Sequence, residues 1–198
     1  MFYHLLYPLR EYVSFFNIFQ YITFRTMYAA MTGFLIAYLL GPRTIRLMAE
    51  MQIGQYIREC GPERHQQKAG TPTMGGILII LAGLGSSLLW ADLTNRYVLI
   101  VIFATLGFAA VGFADDYRKT VKKRNKGLSG WVKFSLQSLM AALVCLAILQ
   151  APGFSTRLLV PFLKSVTPDL GLFYVLFGMF VIVGASNAVN LTDGLDGL

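Results

Sequence analysis

Three short polar stretches interrupt an otherwise apolar chain: HQQKAGTPTMGG at residues 65–76, GFADDYRKTVKKRNKG at 112–127 and NAVNLTDGLDGL at 187–198. In the first, the Thr73 hydroxyl is placed to cap a helix start. Gly75 and Gly76 leave that first turn without side chains, so backbone N–H groups and the positive end of the helix dipole are open to an anion. Lys68 supplies a charge for the same anion. A plainer reading also fits: a Gly-Thr-Pro-Thr turn whose glycines pack against a neighbouring helix.

The second stretch puts Asp115 and Asp116 side by side where an apolar run ends. A helix C-terminus carries partial negative charge, so two carboxylates there need a cation. Either the Arg and Lys residues that follow provide it, or a Mg2+ does, held by the carboxylates together with substrate phosphates. In the third stretch Asn187, Asn190, Asp193 and Asp196 recur every three residues, a drifting polar stripe if the helix continues. Such a stripe costs free energy against lipid and should face protein, water or ligand. An anion cradle, a cation-binding carboxylate pair and an acidic stripe together suit phosphoryl transfer, where catalysis is chiefly positioning and charge neutralisation.

The elements that must position these groups are membrane helices. Of 198 residues 56% are hydrophobic and only 14% are charged, well under the usual charged share of about 25%. Five spans are expected, at about Thr26–Leu40, Met74–Ala91, Tyr97–Ala114, Phe134–Leu149 and Leu170–Val189, within a single membrane domain covering residues 1–198. The fold class is therefore all-α, a polytopic membrane helix bundle. EYVSFFNIFQYITF ahead of the first span reads as an interfacial lead-in. The first residues have no basic n-region or small-residue cleavage site, so no removed signal peptide is expected.

A net charge of +7 could suggest nucleic acid, but its distribution argues against that partner. Arg43, Arg46, Arg58, Arg64 and Lys68 follow span one; Arg118, Lys119, Lys122, Lys123, Arg124 and Lys126 follow span three. The positive-inside rule puts both loops in the cytoplasm and the N-terminus outside, which brings all three polar stretches to the cytoplasmic face. There the Asn190-Leu-Thr sequon is without meaning. Cys60 and Cys145 are expected as free thiols, and His4 and His65, on opposite sides, cannot share a metal site.

GTPTMGG, GFADDYRK and NAVNLTDGLDGL, with GPE at 61–63 and DLGLFY at 169–174, resemble the phospho-N-acetylmuramoyl-pentapeptide transferase branch of the polyprenyl-phosphate N-acetylhexosamine-1-phosphate transferase family, in order and over essentially the whole chain. The resemblance implies Mg2+-dependent transfer of phospho-N-acetylmuramoyl-pentapeptide from its UDP carrier to undecaprenyl phosphate. The products would be UMP and the first lipid-linked peptidoglycan precursor, made at the cytoplasmic face of a bacterial inner membrane. It implies catalytic and metal-environment roles for Asp115 and Asp116, and a substrate cleft lined by Lys68, Thr73, Asn190, Asp193 and Asp196. Lys126 and Lys133 match basic positions near the phosphates or uridine. Gly75, Gly76 and Asn187 complete the expected substrate-binding set, and a homodimer is an assembly the resemblance allows.

Family members continue for about as much chain again, with a later Mg2+-ligating aspartate. The chain is thus expected to be the N-terminal part of such an enzyme, inactive alone, with the main metal ligand beyond Leu198. Two alternatives stand beside this reading. One is a sister transferase moving N-acetylglucosamine-1-phosphate, which is not expected to carry GTPTMGG. The other is a transporter, which would hold its ionisable groups near the bilayer midplane rather than at one edge.

Overall fold

A computed structural model describes residues 1–50, 75–120, 127–162 and 165–194, with only the backbone described at 120 and 191–194. In chain order it contains α1 (Phe2–Leu6), 3-10 turns at Tyr7–Glu11 and Ser14–Gln20, α2 (Ile22–Glu50), α3 (Gly76–Trp90), α4 (Arg96–Thr120), α5 (Gly130–Leu149) and α6 (Phe173–Gly194). The fold is a polytopic helical membrane bundle. Among the described residues four helices, α2, α4, α5 and α6, are long and apolar enough to cross a bilayer.

Local chemistry sets most of the boundaries. Asn95 begins α4, its side-chain oxygen accepting the Tyr97 N–H at 2.9 Å. The Asp92 carboxylate ties the preceding turn, accepting from the Thr94 N–H and hydroxyl at 3.0 and 2.6 Å. Ser129 caps α5 by accepting the Val132 N–H at 3.4 Å, so that helix starts four residues before the expected Phe134. Helix α2 runs past the expected Leu40 and through Pro42. Pro42 cannot donate to the carbonyl four residues back, a loss that membrane helices tolerate where other groups supply the bonds.

In the second expected span, whose first residue Met74 lies outside the described ones, the described helix is Gly76–Trp90, 15 residues, roughly 22 Å at 1.5 Å per residue against a hydrocarbon core of about 30 Å. The lead-in is not a span. It folds largely as short turns, from which the Phe19 ring stacks on Trp90 at 6.2 Å between centroids, joined there by Phe2 of α1 and by Phe24 and Tyr28 of α2 at 5.0, 6.3 and 5.1 Å. The Trp90 indole N–H donates to the Thr32 hydroxyl at 3.0 Å.

Contacts between helices reveal antiparallel registers. Gly107 faces Met140 while Asp115 faces Lys133, so α4 and α5 run oppositely. Gly178 faces Cys145 while Asn187 meets Gln137, so α5 and α6 do too. Interhelical surfaces are made of small or polar residues: Ala141, Val144, Cys145 and Val183 are buried, as are Ser86, Asp115 and Gln137. Large apolar side chains such as Phe34, Ile79, Val101 and Phe180 point outward. Lipid is as apolar as Leu, so small residues that let helices approach closely decide the packing. Cys145 is a free, buried thiol; Cys60 lies outside the described residues.

Candidate active site

The antiparallel order brings the C-terminal end of α4, the N-terminal end of α5 and the C-terminal end of α6 to one end of the bundle. Asp115 and Asp116 sit there, but not at a helix terminus: α4 continues to Thr120. The expected C-terminal placement is therefore corrected by about one turn. The physical reason is local pairing, since Lys119 stands four residues on and its ammonium lies 2.6 Å from Asp115 Oδ2. An acidic residue four positions ahead of a lysine supports the helix.

Adjacent residues on a helix point about 100° apart, and the two aspartates separate accordingly. Asp115 is 5% exposed and buried between α4 and α5. Its Oδ1 accepts the Leu128 N–H at 2.8 Å, and Lys133 Nζ approaches its Oδ2 to 3.9 Å. The Asp116 side chain is 45% exposed, with Oδ1 3.9 Å from the same Lys119 ammonium. One carboxylate is thus held on three sides by the fold, while its neighbour opens toward solvent.

The segment entering α5 is shaped around Asp115. Gly127 has φ +54°, and a Cβ there would run into Asp115 Oδ1. Only glycine adopts that backbone at low cost and leaves room for the carboxylate. Gly127→Ala is therefore expected to lower stability by about 1–3 kcal/mol for the left-handed conformation alone, and to loosen the Leu128–Asp115 bond. A thermal melt of the full-length protein in detergent checks it, an unchanged midpoint contradicting the assignment. Gly127 and the Leu128 N–H were not among the expected site residues; their signal was a glycine between two polar runs, in NKGLSG.

At the start of α3 the N-cap position belongs to Gly75, without a side-chain cap bond; the expected cap by Thr73 falls on a residue outside the described ones. A Cβ on Gly75 or Gly76 would meet no described atom within 4 Å. The packing explanation for these glycines therefore finds no described partner. Lys68, Thr73, Lys126 and Asp196 fall outside the described residues, as does GPE at 61–63.

The α6 helix continues through the third polar stretch as far as Gly194. Asn187 is engaged in packing: its amide donates to Gln137 Oε1 and to the Val183 carbonyl, both at 2.9 Å. Gln137 in turn donates to the Ser186 hydroxyl at 3.4 Å. This is the helix-bonding alternative for the stripe, realised at its first member. Asn190, one turn nearer the Asp115 end, is exposed. Asp193 lies on the helix, with its side chain undescribed. Gln137 and Ser186 were missed because Gln137, beside Ser138, sits within a span that is otherwise largely apolar, and Ser186 directly precedes the stripe that begins at Asn187.

DLGLFY lies at the other end of the bundle. Asp169 there accepts hydrogen bonds from the Thr156 hydroxyl and, at 3.0 Å, the Gly171 N–H. The Thr156 bond chiefly holds its carboxyl below the usual range. This motif shapes the α5–α6 connection and takes no part in the cluster at Asp115.

Comparison with known proteins places these residues. The profile of glycosyl transferase family 4 matches residues 98–198, which include Asp115, Asp116, Lys133 and the α6 stripe. Residues 68–80, from Lys68 through the glycines into α3, match phospho-N-acetylmuramoyl-pentapeptide-transferase signature 1. The chain is 65% identical over its full length to a phospho-N-acetylmuramoyl-pentapeptide-transferase of Desulfosudis oleivorans, covering 55% of that protein. It is 54% identical to one of Syntrophus aciditrophicus, again over the whole chain and 55% of the relative. The chain thus spans about half the length of the curated relatives it matches. With a family profile extending over half of its residues and such relatives along all of them, the chain belongs to glycosyl transferase family 4.

Proposed function

We propose that the protein to which this chain belongs transfers phospho-N-acetylmuramoyl-pentapeptide from UDP-N-acetylmuramoyl-pentapeptide to undecaprenyl phosphate, releasing UMP and forming a lipid-linked peptidoglycan precursor. The observation that carries this reading is the match of residues 68–80 to the signature of that transferase. That signature also disfavours the sister reaction with N-acetylglucosamine-1-phosphate. Full-length enzyme offered both UDP-sugars with undecaprenyl phosphate is expected to release UMP from the muramoyl-pentapeptide donor alone. Equal or preferential release from UDP-N-acetylglucosamine would overturn the choice.

The described residues suit the chemistry. Asp116, whose side chain is 45% exposed, is the carboxylate this reading places beside the attacking lipid phosphate or a cation. Asp115 holds Lys119 and Lys133 at the end of the bundle, where their charge can attract phosphates. Gly75 and Gly76 leave the start of α3 open, with Lys68 preceding them in sequence, and Lys126, Asn190, Asp193 and Asp196 belong to the same proposed cleft.

Mg2+ is part of the proposal. Asp115 has its oxygens engaged by Lys119, Lys133 and the Leu128 N–H, and the 45% exposed Asp116 side chain is the one this reading places beside the metal. Among the described residues no group of three or more His, Cys, Asp or Glu forms a ready cage. Mg2+ is commonly held by one or two carboxylates and completed by phosphate oxygens. When bound, Mg2+ would neutralise phosphate charge at the transferring group. Chelation is expected to abolish UMP release and added Mg2+ to restore it.

The setting proposed is a bacterial inner membrane with the site on the cytoplasmic face. Cysteines introduced at Arg64 and Lys123 should be shielded from an impermeant thiol reagent in intact spheroplasts. One at Arg157, exposed on the opposite end, should be labelled. The reverse pattern would invert the assignment.

A further inference from the structure

We propose that Gln137 is a positioning residue for this site: by bonding Asn187 it sets the rotation and height of α6, and so the aim of Asn190, relative to Lys133 and Asp115. The proposal rests on the phosphoryl-transfer reading above. It starts from an expense. A glutamine amide within an apolar 20-residue helix is costly to insert and is usually retained where it makes a bond that matters. Gln137 is 4% exposed, and both ends of its amide are used. Oε1 accepts from Asn187 at 2.9 Å and the amide nitrogen donates to Ser186 at 3.4 Å.

Its place on α5 gives the bond its consequence. Lys133 lies four residues earlier, one turn toward the α5 N-terminus and on the same face, and reaches across to Asp115 on α4. The α5 helix is thus tied to α4 by Lys133 and to α6 by Gln137. Because α5 and α6 are antiparallel, one turn from Gln137 toward Lys133 corresponds to one turn from Asn187 toward Asn190. Asp193 follows about one turn later. Elsewhere the α5–α6 contact is made by small and apolar side chains such as Ala141, Val144, Cys145, Gly178 and Val183. Those permit close approach but specify rotation weakly. The directional bond from Gln137 to Asn187 specifies it, much as a single buried polar pair fixes register between packed helices.

The test uses full-length protein. Gln137→Leu is expected to lower kcat at least tenfold, per folded enzyme, with KM for the UDP-linked donor within twofold. Gln137→Asn, closer in chemistry but too short to reach, should show a similar loss. Exchanging the pair, Gln137→Asn with Asn187→Gln, restores the combined reach and should recover much of what Gln137→Asn loses. A second readout does not depend on the reaction. With native cysteines replaced, nitroxides at the exposed Leu106 on α4 and Val189 on α6 report the distance across α5 by pulsed electron resonance. The parent should give one narrow distribution, shifted or broadened in Gln137→Leu. An unchanged distribution would overturn the positioning role even if no transfer were detected in any variant. A shifted distribution with kcat within twofold of the parent would overturn its link to catalysis.

Discussion

Asp116→Asn in the full-length enzyme is expected to lower kcat by about 10²–10⁴-fold, the range typical of removing a general acid–base group, with folded yield and melting midpoint close to the parent. The expectation follows from its surroundings. The side chain is 45% exposed, and ion pairs at such half-exposed sites contribute little to stability because water screens them. A carboxylate in that position can meet a lipid phosphate or a cation without dismantling the bundle. Turnover within a few-fold of the parent would remove Asp116 from the chemistry.

Asp115→Asn should behave differently, losing stability as well as turnover. Asp115 is 5% exposed, and replacing it removes the charge that Lys119 and Lys133 share. Breaking a buried pair by deleting one partner costs about 3–5 kcal/mol. Here about 1–3 kcal/mol is expected, because the 45% exposed Lys119 side chain can return to water and asparagine can still accept from the Leu128 N–H. The melt of purified protein should therefore fall for Asp115→Asn and stay in place for Asp116→Asn. Indistinguishable melts would show that the two carboxylates are not divided between the fold and the reacting groups.

That division marks how far sequence reading reaches here. The apolar runs located the helices, because the cost of exposed backbone in lipid leaves a long apolar segment little choice but helix. Helix ends were harder. Span four begins earlier than hydropathy suggests because Ser129 caps it, and α4 outlasts its apolar run because Asp115 and Lys119 pair one turn apart. The adjacency of Asp115 and Asp116 was plain in the sequence, but which of them turns inward depends on the rotation of α4 against α5. Asn187 stood out as the first member of a polar stripe; its engagement with Gln137 could not be read, since the two lie fifty residues apart. Gly127 escaped notice because its meaning lies in the carboxylate packed against it.

The most direct test of the account follows one phosphorus atom. Full-length enzyme is supplied with undecaprenyl phosphate and UDP-N-acetylmuramoyl-pentapeptide carrying 32P in the β-phosphate, and the radiolabel is partitioned between organic and aqueous phases. Phospho-sugar transfer breaks the bond between the two phosphates of UDP, so the label is expected in the lipid product, with unlabelled UMP released. If the label instead stays in water as UDP while the sugar moves to lipid, the reaction is ordinary glycosyl transfer, and the account of Asp116 and its lysines as a phosphoryl-transfer site is wrong.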